Sequence, residues 1–275
     1  MSIQPVGQSF GRSVVDQKTV WIGTSWKMNK GPAEAIAAAR ALESFQPPEG
    51  IQSFVIPPFT SLRDVCSVLE DSALMVGAQN MHWEDSGAWT GEVSAPMIAE
   101  CGASIVEIGH SERRQHFGET DWTVNRKVHA ALRHGLRPLI CIGDTSDEFD
   151  FGVSQETLAR QTKIALHGVS QKDLGRVLIA YEPVWAIGLA GRPAEAPFVS
   201  EIHTKLRAVV RDMVAESGVR IPLLYGGSVS QANIRDYVAL PDVDGVFVGR
   251  AAWEPADFMK LVGSVSELVS RKIAA

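Results

Sequence analysis

Short apolar runs recur along the chain with longer stretches of helical period between them. Eight runs are rich in β-branched and aliphatic residues: Thr19–Ser25, Ser53–Pro57, Leu74–Asn80, Ser104–His110, Arg137–Gly143, Val177–Glu182, Pro222–Gly226 and Gly245–Gly249. Each is too short for a buried helix and reads as a strand. Helical patterns follow over Ala33–Phe45, Ser61–Glu70, Ala95–Cys101, Trp122–His134, Gln155–His167, Val199–Ala215, Gln231–Val238 and Asp257–Val269. Strict alternation of strand and helix predicts parallel strands joined by right-handed crossovers. Eight such units predict an α/β fold of one kind, a single closed (β/α)8 barrel. Pro- and Gly-rich spots such as Gln46–Gly50 read as turns between units, and no linker divides residues 18–275.

Length and charge narrow this further. A chain of 275 residues is long for an ordinary domain but normal for one barrel. A net charge of -6 and the lack of basic runs argue against nucleic acid or a membrane surface as partner. Cys66, Cys101 and Cys141 are scattered and form no CxxC pair, so neither a disulfide framework nor a zinc site is expected, and a reducing cytoplasm suits them. Residues 1–17 are polar, lack the apolar core of a signal peptide and read as a loose extension.

In barrels of this kind the site forms where strands end, so polar residues just past each apolar run carry the chemistry. In order they are Ser25 and Lys27, Asn80, His110, Glu182, Gly226-Gly227-Ser228 and Gly249-Arg250. Glu182, at a dry strand end before a proline, suits a general base with a raised pKa; the alternative is a structural carboxylate paired with an arginine. His110 precedes a helix start, where the dipole disfavours the imidazolium and leaves a neutral ring able to donate one N–H; the alternative is a core histidine. Glu112 is placed to pair with Lys27, whereas Arg114 reads as a solvated helix residue. The glycine turns after the last two strands, Tyr225–Val229 and Gly245–Arg250, suit an anion. Together these groups suggest proton transfer next to a carbonyl on a small phosphorylated substrate. Neither a metal cluster nor a dinucleotide fingerprint is visible, so no cofactor is expected.

The motifs "SWKMN", "AQNMHW", "GAWTGEVS", "IVEIGHSERR", "PLICIG", "AYEPVWAIG" and "YGGSV" resemble those of triosephosphate isomerase, and the likeness covers all eight units. The resemblance implies an isomerase in which Glu182 is the base and His110 the electrophile and proton shuttle; this family is itself a worked example of that pairing. It further implies that Lys27 steadies charge with Glu112 as partner, and that Pro183–Gly188 opens a mobile lid whose backbone near Gly188 closes on phosphate. Tyr225 and Ser228 would hold that lid, with Gln79 and Asn80 as supports. The loop Asn80–Val93 would plug into a second subunit, Thr90 reaching toward the partner's site, which implies a homodimer.

Three departures from the family pattern bear on substrate. Ser25 stands where the family has asparagine, Arg250 replaces the second glycine after the last strand, and Gly188–Ala194 differs at the lid tip. Serine is smaller and leaves room at the reacting end. In this the chain resembles the branch of the family that isomerises L-erythrulose 1-phosphate to D-erythrulose 4-phosphate in tetritol catabolism, a role in carbohydrate metabolism. Ordinary triosephosphate isomerase activity is the alternative. A sugar-phosphate sensor is disfavoured by retention of the base. An aldolase is disfavoured because Lys27 beside Glu112 would stay protonated and be a poor nucleophile.

Overall fold

In the computed structural model, residues 19–187, 193–215 and 218–274 are described. The expected extension over residues 1–17 lies outside them. Eight parallel strands close a barrel in sequence order: β1 Val20–Ser25, β2 Ile51–Ile56, β3 Met75–Ala78, β4 Ile105–Ile108, β5 Arg137–Ile142, β6 Leu178–Tyr181, β7 Leu223–Tyr225 and β8 Gly245–Val248. β1 pairs with both β2 and β8, which completes the ring. Helices follow as α1 Pro32–Leu42, α2 Phe59–Val68, α3 Ala95–Glu100, α4 Ser111–His116, α5 Asp121–Arg133, α6 Ser146–Asp150, α7 Ser154–Leu166, α8 Ala196–Met213, α9 Ile234–Val238, α10 Pro255–Gly263 and α11 Ser266–Ala274.

Alternation along each strand sorts side chains into two cores. Val20, Ile22, Val106, Ile108 and Ile140 pack outward against the helices. Trp21, Phe54, Ile56, Ile105, Leu139, Cys141, Leu178, Ala180, Leu224 and Phe247 fill the lumen. Phe54 and Phe247 stack there with centroids 5.8 Å apart. A Cβ on Gly23 would stand 2.1 Å from the Phe54 ring, so that strand position has no room for a side chain. The same parity carries upward. Ser25 follows Trp21 and Gly23, Glu107 follows Ile105, and Glu182 follows Leu178 and Ala180. The lumen is thus apolar through its middle and polar at the C-terminal ends of the strands.

Two elements differ from expectation. The final helical pattern breaks into α10 and α11, because Gly263 and Ser264 are poor helix formers and the Ser264 hydroxyl donates back to the Leu261 carbonyl at 2.7 Å. The short α6 had no counterpart among the expected helices. It is held by a capping box in which Thr145 Oγ accepts from the Glu148 amide at 3.2 Å and Glu148 Oε2 from the Thr145 amide at 2.9 Å.

Candidate active site

A cleft of about 620 Å³ opens at the C-terminal ends of the strands, and Ser25, Lys27, His110, Glu112, Glu182, Gly227, Ser228, Gly249 and Arg250 all line it. Most of the residues singled out in the sequence therefore converge; Asn80 and Tyr225 do not line the cleft, and Gly188 lies outside the described residues.

His110 is placed by the turn out of β4. Gly109 adopts φ +80°, a left-handed conformation that favours glycine. His110 then caps α4, its Nδ1 accepting from the Glu112 amide at 3.1 Å. That bond leaves Nε2 to carry the hydrogen of the neutral ring. Burial, then the nearby Lys27 charge, lower the imidazole pKa to about 4, so the ring is neutral across physiological pH. Nε2 faces Glu182 Oε2 at 3.7 Å and Glu107 Oε1 at 4.0 Å. Both are beyond hydrogen-bonding range.

Lys27 sits at φ +53°, unusual for a residue with a side chain. Gln79 Nε2 donates to its carbonyl at 2.9 Å, which anchors this turn; Gln79 is thus a support, as expected. Lys27 Nζ donates to Glu112 Oε1 at 2.6 Å. Burial alone would lower the lysine pKa, but the Glu112 hydrogen bond and the surrounding carboxylates outweigh it and raise the value. Asn80 is also a support, its Oδ1 accepting from the buried Lys127 at 2.8 Å.

Glu182 is 3% exposed and has no arginine partner among the described residues. Burial, reinforced by the charge of Glu107, pushes its carboxyl up to about 8. Its Oε2 has no hydrogen-bond partner among the described residues. A Cβ on Gly226 would lie 2.6 Å from Glu182 Cγ, so glycine there gives the carboxylate its place.

Glu107 was not anticipated. It lies inside the "SIVEIGH" run, facing the lumen, and is 3% exposed. Burial pushes its carboxyl up to about 7, against a hydrogen bond from the Ser25 hydroxyl that favours the ionised form. Ser25, which lines the cleft, therefore also has a carboxylate neighbour that the sequence did not suggest. The signal was present: a charge at an inward position of a strand buried on both faces is out of pattern.

The opposite wall is built differently. Ser228 Oγ donates to the Ala186 carbonyl at 2.6 Å, tying the β7 turn to the segment that leads into the expected lid. The Asn233 side chain braces the same turn through the Ser228 carbonyl at 3.0 Å. Arg250 is exposed at the start of a short 3-10 turn after β8. Trp253 Nε1, just beyond, donates to the Ser25 carbonyl at 2.9 Å and links the two walls. Among the described residues no group of three or more His, Cys, Asp or Glu side chains is placed to hold a metal ion. No described helix is long and apolar enough to cross a membrane.

Arranged this way, the cleft offers a dry carboxylate, a neutral N–H donor and a fixed ammonium around one point. A glycine-rich wall with a nearby cation faces them. Such a set can move a carbon-bound proton and hold the resulting oxyanion. Comparison with known proteins agrees. The triosephosphate isomerase family model matches residues 20–265. A Rhizobium etli protein named L-erythrulose-1-phosphate isomerase is 49% identical over 92% of this chain and 94% of its own length. Proteins of the same name from Mesorhizobium japonicum and Brucella abortus are 46% and 48% identical, over 90% and 88% of this chain and 98% and 94% of their own lengths.

Proposed function

The chain belongs to the triosephosphate isomerase family, and from that footing we propose that it interconverts L-erythrulose 1-phosphate and D-erythrulose 4-phosphate. The observation that carries this reading is the identity of 46–49%, over about nine-tenths of the chain, to proteins named for that substrate. Ser25, in place of the family's asparagine, supports it from the side of the cleft.

The chemistry follows from the placement of the groups. Glu182 takes the proton from C3 of the tetrulose. Charge develops on the C2 oxygen, where the His110 Nε2–H and the Lys27 ammonium meet it. A low-dielectric site strengthens both interactions. His110 moves the hydroxyl proton between the two enediolate oxygens. Glu182 returns its proton to C2, and the carbonyl now stands at the former C3. Atoms and electrons balance without an external redox partner. Glu112 keeps Lys27 charged. The phosphate is assigned to Ser228, Gly249 and Arg250, with Gly188 completing that end. We place the enzyme in the cytoplasm, in tetritol catabolism. We further assign a homodimer built through the loop from Asn80 to Val93, on which Thr90 and Trp89 are exposed.

Proton NMR in D₂O tests the reading, with L-erythrulose 1-phosphate and dihydroxyacetone phosphate supplied separately. Rapid conversion of the tetrulose with deuterium incorporation, beside slow triose turnover, is expected. Rapid triose turnover with the tetrulose idle would make the protein an ordinary triosephosphate isomerase.

A further inference from the structure

Glu107 is the one buried acid of the site that the proton transfer leaves unused. Its carboxylate stands beside Ser25, whose hydroxyl donates to it, and 4.0 Å from the imidazole Nε2 that meets the substrate. Its second oxygen, Oε2, is buried and has no hydrogen-bond partner among the described residues. A buried polar atom without a partner is unfavourable and calls for a donor. The described residues around it supply none. Lys27 Nζ donates to Glu112 Oε1 at 2.6 Å, and neither it nor Ser25 donates to Glu107 Oε2. A substrate hydroxyl that reached Oε2 would supply the missing donor.

Position narrows the choice. Ser228, Gly249 and Arg250 lie on one wall of the cleft, and Glu182, His110 and Lys27 surround the reacting carbons. Ser25 lines the same cleft, and Glu107 stands among these reacting groups, 4.0 Å from His110 Nε2. A three-carbon ketose phosphate has its reacting carbon as its last carbon. A four-carbon one continues with a CH₂OH, whose hydroxyl is a free donor.

We propose that Glu107, with Ser25, is the specificity-determining group for the terminal hydroxymethyl of the substrate, Glu107 Oε2 accepting its O–H and Ser25 leaving the space for its carbon. This rests on the tetrulose phosphate reading. It adds that rejection of the triose is active. A triose leaves Oε2 unpaired in the closed site, and sites built to bond a substrate hydroxyl discriminate strongly against analogues that lack it.

A thermodynamic cycle tests it without relying on any single variant. kcat/KM is measured for wild type and Glu107→Gln, each with L-erythrulose 1-phosphate and with its 4-deoxy analogue, which carries CH₃ in place of CH₂OH. For wild type, removing the hydroxyl should lower kcat/KM about 10- to 100-fold, the range for a hydrogen bond to a charged group. Glu107→Gln should lose a similar factor with the natural substrate. It should distinguish the two compounds by less than about threefold, so the effects do not multiply. Should Glu107→Gln fail to fold, the wild-type comparison of the two compounds still decides. Equal kcat/KM for both compounds with wild type overturns the proposal. So does a full, multiplicative loss in the variant, which would mean that Glu107 acts only through Glu182 or the fold. A wild type idle on the tetrulose but active on dihydroxyacetone phosphate overturns both this inference and the function on which it rests. An active wild type with no cycle coupling overturns the inference alone.

Discussion

Asp244, just before β8, and Glu182, just past β6, are both buried carboxylates, but they lie at opposite ends of the barrel and are surrounded in opposite ways. Asp244 is saturated. Its Oδ1 accepts from Arg220 Nε at 3.1 Å and Nη2 at 2.7 Å, and its Oδ2 from the Leu223 amide at 2.9 Å and from Arg207 Nη2. Arg207 also donates to the Ile221 carbonyl at 2.6 Å, so this cluster clips the entrances of two strands to α8. Glu182 and Glu107 each keep an oxygen with no partner among the described residues, and burial raises the pKa of both, with the Glu107 charge adding to the rise at Glu182. One end of the barrel satisfies its charges and holds the fold. The other leaves them unsatisfied, which costs stability and holds them ready for a substrate.

The comparison breaks first at Glu182. Glu182→Gln keeps the shape of the side chain and removes the base. Turnover should fall by about 10³- to 10⁴-fold, toward the upper range for a positioned general base. KM should change little, and unfolding at pH 8 should need no less denaturant than in wild type. Steady-state kinetics and a urea titration check both halves. A variant both inactive and markedly less stable would place Glu182 with the structural carboxylates.

The converse is Asp244→Ala. It strips the shared partner from two arginines and a backbone amide. Removing one side of a buried pair is destabilising by about 3–5 kcal/mol. The urea midpoint should fall accordingly, while kcat measured well below the transition stays within about threefold of wild type. A selective loss of kcat with an unmoved midpoint would contradict the division between the two ends.

Glu107→Gln sharpens the division through pH. The folded-state pKa of Glu107 is about 7, against an ordinary glutamate near 4.5. Below pH 4.5 both states are protonated and the group contributes nothing. Between these values the unfolded chain gives up the proton and the folded one retains it, so stability falls as pH rises. Above pH 7 the whole penalty is present, on the order of 3 kcal/mol. The glutamine variant lacks it. Its advantage in urea midpoint over wild type should grow from pH 5 to pH 8 and then level off. A constant difference would mean that Glu107 is not held neutral by burial.

How much of this was legible from residues follows the same physics. Parallel strands covered on both faces read as unbroken apolar runs, so all eight were visible in the sequence, in the right order. Their ends exposed Lys27, His110 and Glu182, because a polar residue that closes such a run stands at the rim of the barrel, where the lumen meets solvent. Helix ends depended on local bonds that periodicity does not register, as the break at Ser264 shows. Glu107 was hidden by the signal that revealed its neighbours. It sits two residues inside an apolar run, and only the inward parity it shares with Ile105 marks it. Ser25 could be read as a smaller residue, but its partner lies 82 positions away in sequence. No spacing rule connects β1 with β4. The lid tip, including Gly188 and Arg192, falls outside the described residues.

The smallest effect is expected at Arg250, where the comparison is weakest. This arginine lines the cleft but is exposed, and it forms no ion pair among the described residues. Water and salt screen such a charge, so its attraction for a phosphate dianion is modest. In the proposed reading it would meet the phosphate, a part of the substrate that does not change during the reaction. Its contribution should therefore be the same in the ground state and the transition state. Arg250→Ala should raise KM for L-erythrulose 1-phosphate by about three- to tenfold and leave kcat within about twofold. Inhibition by inorganic phosphate should weaken by a similar factor, and the difference from wild type should shrink as salt is raised. A fall in kcat at unchanged KM would show instead that Arg250 acts on the reacting carbons, and that both walls of the cleft take part in the chemistry.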